Sequence, residues 1–241
     1  MLNELEVLAT MEHALIVENL SIACALGIDL DAQDGGPMTD RGRDAASAAS
    51  AQAISEMFHL KRINRALVAS GRPARMDRAD GVTTASGQVL PVPPDQAGLD
   101  RLLERERSLA AAVDARYTGL AAVATTVFED KERQTWRDLL VDNAPNHFDD
   151  LAGLLTALDG MAPADFLRAT RRTANNGFEQ RMLEMSGRIY GMIVHTLQGS
   201  FDPDFGTAAP FREMSTALMT LMDESNHLLV QQGLLPPFPP I

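Results

Sequence analysis

The feature that most constrains this chain is a Glu-x-x-His step, Glu56 to His59, inside a stretch with helical periodicity from Ala45 to Ala69. Positions i and i+3 of an α-helix point the same way, so a carboxylate and an imidazole at this spacing can approach one ion. Steps of this kind hold metals in carboxylate-bridged sites of helix bundles. The step is short, so it indicates a metal site only if other helices also place carboxylates on buried faces.

Helix 1, predicted over residues 4–27, places an acid in this way. Its apolar stripe advances by alternating steps of three and four, with Glu12 in the middle: Leu5, Leu8, Glu12, Leu15, Asn19, Ile22 and Leu26. Gly27 is a suitable end for the helix. His13 points about 100° away from Glu12 around the helix, which favours a structural role. Glu18 lies off the stripe, and we expect it on a solvated face.

Two further helices follow a long connection. Gly71-Arg72-Pro73 ends helix 2, and no segment from there to Gly98 shows the alternation typical of a strand. A connection of this length suits a bundle with a long crossover between its second and third helices. Helix 3 is predicted from Gly98 to Phe128 with Glu106 on its apolar stripe, and helix 4 from Ala144 to Leu158 with His147 in its first turn.

The rest of the chain predicts at least two more helices, over residues 164–199 and 210–232. Asn175-Asn176-Gly177 is a candidate break in the first of them. The proline-rich tail, residues 235–241, is expected to lie extended over the surface. We therefore divide the chain into a helical bundle of residues 1–160 and a second part, residues 161–241, that packs on it.

Composition excludes several classes of function. A net charge of -12 over 241 residues argues against a nucleic-acid partner, which requires clustered Lys and Arg. The first residues are acidic, and Glu18 and Asn19 interrupt the apolar run of helix 1, so we expect a cytoplasmic protein with no signal peptide and no membrane association. Cys24 is the only cysteine, which excludes an intrachain disulfide and suits a small core residue.

Three predicted helices thus each carry one acid on an apolar stripe: Glu12, Glu56 and Glu106. A carboxylate in a bundle core is costly unless it is paired or binds a metal. Oxygen and imidazole donors without a thiolate suit iron or manganese, with zinc as a further option, as one or two ions. The predicted metal ligands are Glu12, Glu56, His59, Glu106 and His147, and the catalytic residues stay open. The alternative is that Glu12 faces solvent and that Glu56 and His59 form a surface pair.

A second Glu-x-x-His step, Glu224 to His227, occurs in the last predicted helix. It has no matching acids in its sequence neighbourhood, so an exposed pair is favoured over a second metal site. His195 is expected to be an ordinary core or surface histidine.

Residues 8–15 (LATMEHAL) and 54–60 (ISEMFHL) resemble the ferritin-like domain of iminophenyl-pyruvate dimer synthases and of free-standing bacterial proteins, which has Leu-Glu-His-Ala and Glu-Glu-Met-x-His-Leu segments. Residues 99–106 (LDRLLERE) are similar to the entry of its third helix, and residues 189–197 and 211–229 to its closing helices. The resemblance implies an all-α, ferritin-like four-helix bundle with a long crossover between helices 2 and 3 and additional C-terminal helices. It also implies a non-haem iron or manganese site with oxidoreductase-type chemistry on a small molecule.

The chain departs from that family at two positions. Ala144 stands where the fourth helix of the family has the Glu of its own Glu-x-x-His step, while His147 is kept, and Ala115 stands where helix 3 would have a further acid. One carboxylate is therefore missing, so either a single ion binds or one of three other acids replaces it: Asp114, Asp142 or Asp150. The alternative function is a metal-free helical protein with a binding or structural role. A small-molecule substrate and a homodimer are compatible with these interpretations.

Overall fold

The computed structural model describes residues 2–28, 30, 40–84, 86–127, 146–160, 162, 167–202 and 209–240. This part of the chain is mostly helical, which confirms the all-α class. Its helices are α1 (Leu2–Ala25), α2 (Asp40–Ala69), the short α3 (Gln96–Leu99), α4 (Leu102–Val127), α5 (Asn146–Leu158), α6 (Gly177–Gly199) and α7 (Ala209–Gln231). The predicted start of helix 4, around Ala144, lies outside the described residues.

The helices of the first 160 residues are neighbours in a ring. α1 packs along α2, α2 along α5, and α5 against α4, while side chains of α4 reach back to α1. α6 and α7 pack along each other, and α7 contacts α1. α1 therefore has neighbours on most sides, which explains why nearly all its residues from Leu8 to Ala25 are buried. The division of the chain at residue 160 stays a prediction.

Among the described residues, α1 is the one helix long and apolar enough, by length and composition alone, to cross a membrane. The apolar window is 83% buried inside the protein, and the core helix of a soluble protein meets the same criterion. Packing against the other helices accounts for its apolar composition.

The predicted helix ends after α1 and α2 are confirmed. Gly27 and Gly71 have φ angles of 78° and 73°, a left-handed conformation that glycine adopts without a steric penalty. In both turns the following N–H bonds back to the helix, from Ile28 to Ala23 and from Arg72 to Leu67, at 2.9 Å. These bonds satisfy carbonyls that the helix end would otherwise leave open.

Residues 167–176, the described part of the chain before Gly177, are not helical, so α6 begins at the break that its sequence suggested. The Asn176 side chain accepts hydrogen bonds from the N–H groups of Phe178 and Glu179 and so caps α6. The described tail after α7, residues 235–240, is in no helix or strand, and it is not confined to the surface as predicted, because Leu235 and Phe238 are buried. Phe238 packs edge-on against Tyr190, with ring centroids 5.4 Å apart.

The connection between α2 and α3, here called the crossover, contains a two-stranded hairpin that the sequence analysis missed. β1 (Gly81–Thr83) pairs antiparallel with β2 (Val89–Pro91), and Val82 lies opposite Leu90. Strands of three residues are too short for alternation to show in the sequence. A side chain at position 81 would approach the Leu90 carbonyl oxygen to 2.7 Å, so glycine permits this pairing.

Three arginines donate hydrogen bonds to carbonyls of the crossover: Arg105 from α4, Arg171 from the segment before α6, and Arg78 from the crossover itself. Arg78 and Arg105 donate to the carbonyls of Val92 and Pro91 at 2.8 and 2.6 Å, and Arg171 donates to the carbonyl of Pro94. These carbonyls belong to a proline-rich segment that cannot pair fully with backbone partners. The guanidinium groups therefore supply the donors that a sheet or helix would otherwise provide.

The expectation that Glu18 faces solvent is wrong. Its side chain is fully buried, and both carboxylate oxygens accept from Arg105, with Nε to Oε1 at 2.5 Å and Nη2 to Oε2 at 2.6 Å. The planar guanidinium matches a carboxylate in this two-bond arrangement, and the ion pair offsets the cost of burying the charge. The apolar stripe of α1 did not reveal a cation arriving from α4.

The Arg105→Ala variant is expected to lower the free energy of unfolding by about 3–5 kcal/mol, because Glu18 would stay buried without its cation. Urea unfolding followed by circular dichroism measures the change. Arg116→Ala is the matched control, since Arg116 in the same helix forms a half-exposed pair with Glu4 at 3.0 Å and should contribute about 0–1 kcal/mol. Equal losses in the two variants would contradict the assigned role of Arg105.

Candidate metal centre

Glu12 from α1 and Glu56 and His59 from α2 come together inside the protein; we call these three residues the Glu/His cluster. One ligand atom from each lies within 4.8 Å of the others. Their side chains are at most 1% exposed. The i, i+3 spacing places Glu56 and His59 on one face of α2, and the packing of α1 along α2 adds Glu12.

Hydrogen bonds fix the orientation of each member of the Glu/His cluster. His59 Nδ1 lies 2.9 Å from Glu56 Oε2 and 3.7 Å from Glu12 Oε2. Gln52, one turn before Glu56, donates to Glu56 Oε1 at 3.4 Å, and the Tyr117 hydroxyl of α4 donates to Glu12 Oε1. The donor atoms are therefore held toward one point by residues from three helices.

The Glu/His cluster attracts positive charge. Burial lowers the pKa of His59, but the hydrogen bond with Glu56 and the nearby Glu12 carboxylate outweigh burial and raise that pKa above its ordinary value, which favours the protonated ring. If a metal displaced that proton, two carboxylates with a neutral imidazole would carry a formal charge of about -2, and a divalent cation would balance this charge. Burial makes the balance important, because an uncompensated charge in a protein interior is costly.

Glu106 is buried, as its place on an apolar stripe predicts, but the structure does not bring it into the Glu/His cluster. It lies beside Glu18 and Arg105; burial and the charge of Glu18 raise the pKa of Glu106 well above its usual range, although Arg105 opposes them. The α4 residue that reaches the cluster is Tyr117, which lies about 16 Å along the helix from Glu106. A stripe gives the face of a residue and leaves its height along the bundle undetermined.

The remaining predicted ligands fall outside the cluster or outside the described residues. The side chains of His147, Asp142 and Asp150 are not among the described ones, so the role of His147 stays a prediction. Asp114 is exposed on α4. Glu224 is exposed as expected, while His227 is half-buried and its Nε2 lies 2.9 Å from Gln231 Nε2.

Tyr117 is the site residue that sequence analysis missed. It occupies the predicted apolar stripe of helix 3, so its burial was foreseeable, and a buried tyrosine hydroxyl usually finds a hydrogen-bond partner. Glu106 lies on the same stripe, and its carboxylate made it the predicted ligand of this helix. The available signal was a tyrosine on an apolar stripe, whose buried hydroxyl needs a polar partner such as a buried acid.

His13 has the structural role that its position on α1 predicts. Its Nδ1–H donates to the Met76 carbonyl of the crossover at 2.7 Å, and its Nε2 accepts from the Tyr190 hydroxyl of α6 at 2.7 Å. Burial lowers the pKa of His13 to about 4, and burial also raises the pKa of Tyr190 to about 12. Both groups are therefore neutral at pH 7, and they join α1, the crossover and α6.

No protein-family model matches the chain, and no curated protein or solved structure is significantly similar to it. The geometry and chemistry of these residues therefore indicate what the protein can do.

The chain contains two tyrosines, so Tyr117→Phe leaves Tyr190 as the single titrating phenol. We expect the pKa of Tyr190 in the folded variant to be about 12. The ultraviolet absorbance of the phenolate measures this titration. Because the unfolded chain releases this proton near pH 10, stability is expected to fall as the pH rises from about 10 to 12. The same variant in urea, the control, should titrate at the unfolded value. A folded variant that titrates near that value would contradict burial of Tyr190.

Proposed function

We propose that this protein is a ferritin-like metal-binding protein whose Glu/His cluster binds a non-haem iron or manganese ion for oxidoreductase-type chemistry on a small molecule. The observation that carries the proposal is the meeting of two buried carboxylates and one imidazole from two helices, with ligand atoms within 4.8 Å. A divalent ion makes this burial electrically neutral. The cytoplasmic location, the small-molecule substrate and a homodimer stay predictions.

The residues fit such an ion. Zinc–oxygen and zinc–nitrogen bonds of about 2.0–2.2 Å let one ion span ligand atoms up to roughly 4.4 Å apart, a little less than the 4.8 Å within which the three ligand atoms lie. Two oxygens and one nitrogen without a thiolate suit iron or manganese, with zinc as a further option. Three protein ligands leave coordination positions for an oxidant or a substrate, to which a bound ion would supply Lewis acidity and redox chemistry.

The arrangement of the helices supports the ferritin-like assignment. A single Glu on α1 and a Glu-x-x-His step on α2 are one half of the ligand set of ferritin-like carboxylate proteins. The ring of α1, α2, α4 and α5, with the crossover between α2 and α4, agrees with the connectivity of that class. Tyr117 and Gln52 would hold the carboxylates of Glu12 and Glu56 in place around the ion.

Protein purified without chelator is expected to contain about one ion per cluster, and Glu56→Ala is expected to lose it, because the variant removes one of three ligands. Inductively coupled plasma mass spectrometry measures the metal content. Glu224→Ala is the matched control, since it removes the acid of the second Glu-x-x-His step from an exposed position of α7. Equal metal content in Glu56→Ala and the wild type would contradict the proposal.

A second candidate function is the metal-free helical protein with a binding or structural role. Its supporting observation is that His59 bonds to Glu56 and Tyr117 bonds to Glu12, so the acids have partners within the protein. The loss of a family carboxylate at Ala144 agrees with it. In that case the cluster serves as a polar contact between helices.

Metal-dependent stability distinguishes the two functions. Adding Mn²⁺ or Fe²⁺ to chelator-treated protein is expected to raise the melting temperature, by an increment equivalent to about 2.7 kcal/mol when the free ion exceeds its Kd a hundredfold. Glu12→Gln and Glu56→Gln should lose this increment, while Glu224→Gln should keep it. If the wild type shows no increment and both cluster variants are as stable as the wild type, the metal-free function holds.

A further inference from the structure

A cavity of about 680 Å³ lies between the α1–α2 pair and the α6–α7 pair. Its floor consists of buried, mostly apolar side chains, among them Leu60, Met76, Ile193 and Val194. No member of the Glu/His cluster lines it. The cavity therefore uses different faces of α1 and α2 from those that form the cluster.

The mouth of the cavity is basic. Lys61, Arg65 and Arg212 line it and are exposed, and no acid is among the described residues that line the cavity; we call these three residues the basic rim. The positive charge of the basic rim contrasts with the whole chain, which has 33 acidic and 21 basic residues. No carboxylate within the described ranges forms an ion pair with Arg65 or Arg212.

The interior, by contrast, is mostly apolar among the described residues that line it. His13 and Tyr190 line the floor, and the Tyr190 hydroxyl lies 2.7 Å from His13 Nε2, so these two polar groups bond to each other. Three methionines, Met57, Met219 and Met222, contribute to the walls, and methionine adapts its shape to flexible apolar ligands. Phe58 at the mouth is 56% exposed, so an apolar ligand would cover surface that now contacts water.

We propose that this cavity binds an amphipathic carboxylic acid of the fatty-acid type, with its hydrocarbon chain inside and its carboxylate at the basic rim. The volume lies in the range of roughly 300–1,000 Å³ that is typical of small-molecule sites. Arg65 and Arg212 can each form two parallel hydrogen bonds to a carboxylate. The mostly apolar floor favours the hydrocarbon end in the interior, and the basic rim favours the carboxylate at the mouth, so the two together fix the orientation of the ligand.

Calorimetric titration with three ligands of equal chain length tests the charge of the head group: dodecanoate, dodecanol and dodecyltrimethylammonium, each below its micelle concentration. Dodecanoate is expected to bind at one site per chain and about two- to fivefold more tightly than the neutral alcohol, as an exposed ion pair allows. The cationic ligand should bind most weakly. No saturable binding of dodecanoate, or equal affinity for all three ligands, would overturn the proposal.

Variants locate the site. Arg65→Gln and Arg212→Gln are each expected to weaken dodecanoate binding by about two- to fivefold and to leave dodecanol binding unchanged. Arg188→Gln is the matched control, because Arg188 is exposed on α6 and does not line the cavity. Leu197→Trp places an indole ring inside the cavity and should weaken the binding of both ligands. Thermal melting checks that this variant is folded. Rim variants that bind dodecanoate like Arg188→Gln, or a folded Leu197→Trp that binds like the wild type, would refute this site.

Discussion

The structure depends on how it compensates carboxylates buried among helices. Glu12, Glu18, Glu56 and Glu106 are each at most 3% exposed, and the desolvation of an ionised carboxylate costs more than any single apolar contact returns. The protein uses three solutions. Arg105 pairs with Glu18, a raised pKa favours the neutral form of Glu106, and hydrogen bonds with His59, Tyr117 and Gln52 surround Glu12 and Glu56. A bound cation would add a fourth solution at the Glu/His cluster.

The need to give polar groups a partner also explains how the crossover is held. A segment with Pro91, Pro93 and Pro94 cannot form a regular backbone ladder, so its carbonyls accept from arginines. Arg105 contacts both Glu18 and the Pro91 carbonyl and so connects the crossover to the centre of the bundle. His13 adds a contact of the same kind through the Met76 carbonyl. The long connection is therefore an ordered part of the wall that encloses the core.

Periodicity in the sequence predicted the helices and the faces of their acids well. Glu12, Glu56 and Glu106 are all buried, and glycines 27 and 71 end their helices, because these features depend on local sequence. Three features depended on distant contacts: the ion pair of Glu18, the height of Glu106 along α4, and the contact of Tyr117 with Glu12. The hairpin was not predicted, because strands of three residues are too short to show an alternation of apolar and polar residues. Local patterns fix the face of a residue, and tertiary packing fixes its partner.

All three members of the Glu/His cluster belong to the first two helices, which pack along each other. Only the chain between Glu12 and Glu56 must close to assemble them, and the entropy lost on closing a loop grows slowly with its length. The helical hairpin of α1 and α2 thus carries all three members of the cluster. Because translation begins at the N-terminus, α1 and α2 are synthesised before α4 to α7, so an ion bound by the cluster would join the two helices that are made first.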